Sequence, residues 1–142
     1  MRALLLVAWL LGPATAAADG LDSIAGHYVY TDYHVSLPNG KVLGLSDIGA
    51  REATLDVYAS GTITLRMKMS SGAVVTQAAR VLEAHVDNGV GYWIARWPDM
   101  AYPVRAQFHM SYATLTTETK FENRADTERF GSVERATLRR TQ

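Results

Sequence analysis

Thr62-Ile63-Thr64-Leu65-Arg66-Met67-Lys68-Met69 is the stretch on which the fold class turns. Every odd position is apolar and every even one polar, a period of two held over eight residues. Successive side chains of a strand point to opposite faces, so this segment buries one face and wets the other. A helix would scatter Ile63, Leu65, Met67 and Met69 around its circumference. Turn signals bracket it. Ala59-Ser60-Gly61 lies before it and Ser70-Ser71-Gly72 after it, each with a glycine free to take positive φ. Thr54 to Tyr58 therefore pairs with it as a hairpin across the first turn.

The same texture extends in both directions. Leu37-Pro38-Asn39-Gly40-Lys41 and Asp87-Asn88-Gly89 are further turn signals. His27 to Ser36, Tyr92 to Trp97, Val104 to Met110, Tyr112 to Phe121 and Val133 to Arg140 read as strands, rich in aromatic, Thr and Val residues. Val74 to Val86 is ambiguous. Val74, Ala78, Leu82 and His85 fall near helical spacing, whereas Val74, Ala78, Leu82, Ala84 and Val86 would share one strand face. The flanking hairpin-type turns favour a strand. Lys120 to Arg129 alternates in charge sign and reads as a solvated loop or a protein-docking surface. Pro38 to Arg51 is a long connection with apolar Val42, Leu43, Leu45 and Ile48, placed to fold over one end of the domain. About eight short strands joined by tight turns imply an all-β meander closed into a barrel or a sandwich.

This layout resembles the calycin group, and most of all bacterial lipocalin-like domains. The resemblance spans residues 19–142 and implies an eight-stranded antiparallel up-and-down barrel. It also implies a short helical turn before the first strand and a long first loop across the open end. Leu21-Asp22-Ser23-Ile24-Ala25 would be that turn, with Leu21 and Ile24 plugging the closed end. Gly26-His27-Tyr28 stands where such families carry Gly-x-Trp, and the partner Arg of the last strand would be Arg135 or Arg139. Here Tyr replaces the Trp.

Two groups of residues have the chemistry of a ligand site. In the first strand, strict alternation puts Tyr28, Tyr30, Asp32 and His34 on one face. If Tyr28 points inward, as the resemblance implies, phenol, carboxylate and imidazole converge in the barrel as a polar site or an acid–base pair. A bulge or the opposite register would instead turn Val29, Tyr33 and Val35 inward, and a buried Asp32 would need a partner. In the second group, Trp93 and Trp97 flank Ala95 on one strand face. With Phe108, Met67 and Met69 they would form a wall for a flat apolar ligand. The alternative is a core filled by side chains, which a small eight-stranded barrel accommodates.

Other chemistries leave no trace. His27, His34, His85 and His109 are scattered without zinc-type spacing, and neither a nucleophile elbow nor a phosphate-binding glycine motif occurs. No cofactor and no catalytic residue is implied. Without cysteine there is neither a disulfide framework nor a thiolate metal site.

The N-terminus reads as an export signal. Met1-Arg2 is followed by the apolar run Ala3 to Leu11, then Gly12-Pro13, then the small residues Ala14 to Ala18. Nine apolar residues reach about 14 Å, roughly half the hydrocarbon core, so no permanent membrane span is expected here. Cleavage after Ala16 or Ala18 satisfies the small-x-small rule, and no lipobox cysteine follows. Residues 1–18 are thus expected to be removed, leaving a periplasmic or secreted domain. Losing Arg2 leaves thirteen basic against fourteen acidic residues, no electrostatic footprint for nucleic acid.

The expected function is binding of a small apolar or aromatic molecule in the barrel. One rival is a calycin-fold cyclase or isomerase working through Tyr30, Asp32 and His34. Another is an exported protein-binding inhibitor acting through its loops. A ligand binder should have an open apolar cavity of about 300 Å³ or more, the lower end for small-molecule pockets. An inward, perturbed Asp32 or His34 would mark the enzyme. A filled barrel with exposed apolar loops would mark the inhibitor.

Overall fold

The structure, a computed structural model, describes residues 20–141. The export segment read over residues 1–18 lies outside them. Nine strands follow one another: β1 (Gly26–Ser36), β2 (Val42–Leu43), β3 (Ala50–Val57), β4 (Thr62–Met69), β5 (Val74–Asp87), β6 (Val90–Arg96), β7 (Val104–Ser111), β8 (Thr114–Lys120) and β9 (Val133–Thr141). One helix, α1 (Arg124–Phe130), separates the last two. Every ladder is antiparallel, and β1 pairs with β9 as well as with β3. Eight strands therefore close into a barrel in simple meander order, with β2 attached to the outer end of β1. Closure removes the unpaired edges that an open sheet would expose. No helix among the described residues is long and apolar enough to cross a membrane.

The segment Thr62–Met69 is strand β4, with Ile63 fully buried. Its register sets the orientation of β5. Ile63 pairs with Ala79, Leu65 with Gln77 and Met67 with Val75, and directly paired residues share a face. The ambiguous Val74 to Val86 segment is thus a strand, but its inner face differs from the one its apolar residues had indicated. Val74, Ala78 and Leu82 point outward, and Leu82 is 38% exposed. A register shift between Val81 and Glu83 makes Leu82 the extra residue of a β-bulge, after which Ala84 and Val86 face inward. Hydrophobic identity is a poor guide where a bulge resets the parity.

The closed end is solid. A 3₁₀ turn, Leu21–Ser23, presses Leu21 and Ile24 against Tyr28, Ile63, Leu115 and Leu138, the largest fully buried side chains. The Tyr28 hydroxyl donates to the Ile24 carbonyl and reaches Met110 Sδ at 3.7 Å. The basic residue beside it is Arg140, in register with Tyr28, rather than Arg135 or Arg139. Inward parity on β9 runs through Ala136 and Leu138 and so reaches Arg140. Arg139 is exposed, and Arg135 lies outside the barrel, 2.9 Å from Glu118. Gly26 makes room for this contact: a Cβ there would sit 2.9 Å from Arg140 Cδ.

Two connections carry structure of their own. Residues 38–49 contain β2 and a second 3₁₀ turn, Ser46–Ile48. Lys120 to Arg129, read as a solvated loop, instead holds α1. Asn123 caps the helix by accepting from the Asp126 N–H at 2.9 Å. Asp126 is 2% exposed and is gripped from both sides. Its Oδ2 accepts from Asn123 Nδ2 at 2.6 Å, and its Oδ1 accepts from the Ala101 N–H at 3.1 Å. Arg129 donates to the Asp99 carbonyl at 3.0 Å, so α1 and the β6–β7 loop form one cap on the open end.

The cap has a pH signature. Hydrogen bonds from Asn123, then from the Ala101 and Tyr102 N–H groups, outweigh burial and hold the Asp126 carboxyl below its ordinary value. A depressed folded pKa stabilises at neutral pH, and that stabilisation is lost as pH falls through it. Asp126→Asn is therefore expected to lower the urea midpoint at pH 7, with the deficit closing on acidification below about pH 4. A deficit independent of pH would contradict this.

Candidate functional site

Inward side chains fill the closed half of the barrel and leave an internal cavity of about 80 Å³ toward the capped end. Its aromatic wall is Tyr30 from β1, Trp93 from β6, Trp97 just beyond β6, and Phe121 just beyond β8. Its polar groups are Glu134 of β9, Gln77 of β5 and the Thr117 and Thr119 hydroxyls of β8. Met100 on the β6–β7 loop closes the top. The strand residues among them, Tyr30, Gln77, Trp93, Thr117, Thr119 and Glu134, reach the axis for the same reason: each sits on the inward parity of its strand, set by paired core neighbours such as Leu55, Leu65 and Ala106.

The first strand departs from strict alternation, which changes the site. Tyr30 pairs with Leu138, yet Asp32 pairs with Thr137, so Thr31 is the extra residue of a bulge. Thr31 is exposed and its hydroxyl donates to the Thr137 carbonyl at 3.0 Å. Beyond it the faces exchange: Tyr33 and Val35 turn inward, and Asp32 and His34 turn out. The expected convergence of Tyr28, Tyr30, Asp32 and His34 is therefore not formed. Asp32 Oδ1 and His34 Nε2 lie 2.9 Å apart on the outer surface, with both side chains more than half exposed. They border a shallow groove of about 700 Å³ shared with Arg105, Gln107, Glu118 and Arg135.

The other expected residues divide. Tyr30, Trp93 and Trp97 line the cavity. Tyr28 is buried below it in the closed end, and burial, partly opposed by Arg140, raises its phenol above the ordinary value. Phe108 stacks on Trp93, ring centroids 5.0 Å apart at 28°, and supports the wall from behind. Met67 and Met69 do not reach the cavity. Among the described residues no group of three or more His, Asp or Glu side chains is placed to hold a metal ion.

No family model, no curated protein and no solved structure matches this chain. The site's chemistry is thus the guide to what it does.

That chemistry centres on Glu134, a residue that no sequence motif marks. Glu134 projects inward, and its Oε2 accepts from the Tyr33 hydroxyl at 2.9 Å. Among the described residues no Lys, Arg or His lines the cavity to balance it. Burial raises the Glu134 carboxyl above its ordinary value of 4.5, with the hydrogen bond from Tyr33 opposing. Tyr30 and Tyr33 are both pushed far up, first by burial and then by the Glu134 charge, and stay neutral. Beside this group, Gln77 Nε2 donates to Asp99 Oδ2 at 3.1 Å, while Asp99 Oδ1 is buried without a partner. The clue to Glu134 was local: in Glu134-Arg135-Ala136-Thr137-Leu138, inward Ala136 and Leu138 carry the parity back to Glu134.

A half-buried carboxyl without a counter-charge costs stability. With its folded pKa raised, that cost is absent below the ordinary value and complete above the raised one. Glu134→Gln keeps the shape and can still accept from Tyr33. It is expected to unfold at higher urea than the wild type at pH 7 and at the same urea near pH 4. A variant less stable at pH 7 would show that the carboxylate has a compensating partner.

Proposed function

We propose that this chain is an exported, lipocalin-like member of the calycin group that takes one small molecule into the cavity at its capped end. The observation that carries the reading is the cavity's composition. Four aromatic side chains face a few polar groups in a space that the side chains leave open toward the capped end of the barrel. This mixture of apolar wall and sparse polar anchors is the usual make-up of a small-molecule site. Its 80 Å³ falls well short of the roughly 300 Å³ expected of a small-molecule binder: the barrel is nearly filled, and the cavity as it stands suits only a ligand of a few heavy atoms. A larger guest would need the β6–β7 loop to carry Trp97 and Met100 outward. That movement breaks no strand ladder, because both residues lie beyond β6. The sequence over residues 1–18 supports action in the periplasm or outside the cell. The outward Asp32 and His34 remove the basis for the cyclase or isomerase reading.

The test uses the protein's own chromophores. Once residues 1–18 are removed, Trp93 and Trp97 are the chain's only tryptophans, and both line the cavity. Protein purified after export from its own host is examined by native mass spectrometry for a carried ligand. It is then titrated with small aromatic and aliphatic fragments while tryptophan emission is followed. A bound adduct, or a saturable emission change weakened in Trp97→Ala, supports the reading. Absence of both across the panel overturns it.

A protein-binding reading draws on a different observation. Tyr112, at φ 55°, is 97% exposed on the two-residue β7–β8 turn, and Tyr102 is 60% exposed on the β6–β7 loop. Tyr is a poor occupant of a left-handed position, and an exposed aromatic at such a place is what an interaction loop presents. Tyr112→Ser would abolish a partner contact and leave fragment titrations unchanged.

A further inference from the structure

We infer that Glu134 is the anchor for a cationic nitrogen, so that the cavity selects small organic ammonium ions over neutral molecules of the same shape. The inference rests on the ligand-binding reading above and adds to it the charge of the ligand. Three independent features of the site converge on it.

The first is composition. The cavity places a carboxyl among Tyr30, Trp93, Trp97 and Phe121, with no Lys, Arg or His in its lining. Aromatic faces carry negative quadrupole density and attract a cation, most strongly when it is stripped of water. An anionic guest would meet a carboxylate and four π-faces without one positive group. The second is unspent hydrogen-bonding capacity. Tyr33 occupies Glu134 Oε2, and among the described residues no side chain or N–H donates to Oε1. Behind the Gln77 amide that lines the cavity, Asp99 Oδ1 is buried and unpartnered, though Asp99 itself is not part of the lining. Glu134 Oε1 is thus a vacant acceptor at the cavity, and an ammonium group is a pure donor with up to three N–H bonds. The third is size. A water molecule's share of liquid volume is about 30 Å³, so 80 Å³ holds about three such groups, the bulk of a short alkylammonium.

The charged groups around the carboxyl point the same way. Tyr30 and Tyr33 of β1 are neutral, and Asp99 of the β6–β7 loop adds negative charge. Arg129 of α1 is engaged outside, on the Asp99 carbonyl. Burial makes the Glu134 carboxyl hold its proton to higher pH in the empty site than a free carboxyl would, and a bound cation favours its loss. Ammonium affinity should thus rise with pH above the ordinary carboxylate range and level off once Glu134 ionises in the empty protein.

The probes are n-propylammonium and 1-propanol, equal in heavy-atom count and differing in charge. Both are titrated into wild-type protein and Glu134→Gln, following tryptophan emission and the indole N–H resonances of Trp93 and Trp97. At pH 7 the wild type is expected to bind propylammonium at least tenfold more tightly than 1-propanol. Glu134→Gln should weaken propylammonium at least tenfold and leave 1-propanol within about twofold. Its pH profile should be flat where that of the wild type rises. Tyr33→Phe removes a hydrogen bond that favours the ionised carboxylate, so its profile should shift to higher pH. A merely structural Tyr33–Glu134 pair would produce no such shift. Equal or tighter binding of 1-propanol, or a Glu134→Gln variant that keeps its ammonium affinity, overturns the inference while leaving a ligand-binding barrel. No indole response to either probe, together with an empty fragment panel, overturns both.

Discussion

Deletion of Thr31 is expected to leave the barrel folded, because it removes the bulge and keeps the register. Thr31 is the extra residue between two pairs, Tyr30 with Leu138 and Asp32 with Thr137, whose β9 partners are already neighbours in the chain. Without Thr31 the β1 partners become neighbours too. The ladder then runs on regularly, with Asp32 and His34 outward and Tyr33 and Val35 inward as before. Both halves of the strand stay pinned: Gly26 to Val29 pair with β3, with Tyr28 seated under Ile24, and Asp32 to Ser36 pair with β9. Thr31→Ala should also fold, with a loss of about 1 kcal/mol, since it removes only one exposed hydrogen bond, from Thr31 Oγ1 to the Thr137 carbonyl. Circular dichroism and urea unfolding decide the matter; a deletion variant that does not fold would show that the bulge itself, and not the pairing on either side of it, is needed to close the barrel.

Trp93→Ala should be the most damaging single substitution in the cavity wall, at about 3–5 kcal/mol. Trp93 is 5% exposed and stacked on Phe108, so truncation loses both buried area and a stacking contact. It also merges the vacated indole volume with the existing 80 Å³, and a rigid barrel relaxes poorly around such a void. Indole added in solution should raise the melting temperature of the variant more than that of the wild type, since the variant's void is larger by the lost side chain. Trp97→Ala, at the half-buried mouth, should cost distinctly less. A Trp93→Ala loss below about 1 kcal/mol would mean that the wall carries little of the core's packing.

The legible parts of this protein share one property: their signals are complete within a few residues. The alternation of Thr62–Met69, the Ala59-Ser60-Gly61 turn and the small-residue turns after β4 and β5 sufficed to place strands and hairpins. The apolar pair Leu21 and Ile24 marked the plug. The cavity wall was visible in part, since Trp93 and Trp97 sit two residues either side of Ala95. The helix α1 had a local signal as well, Asn123-x-x-Asp126 ahead of Thr127, but alternating charge obscured it. Glu134 was hidden because it stands among exposed arginines, and its inward side follows only once Ala136 and Leu138 are known to be buried.

The class of the fold and its strand order thus follow from local pattern, because period two and turn chemistry are properties of neighbouring residues. Which face each strand buries was decided by pairing between distant segments. Thr31 and Leu82 look like ordinary strand residues, and each becomes a bulge only because its partner strand is held in register from both sides. One inserted residue inverts everything beyond it. That inversion moves Asp32 and His34 to the surface and brings Tyr33 to Glu134, so the site is assembled by long-range register.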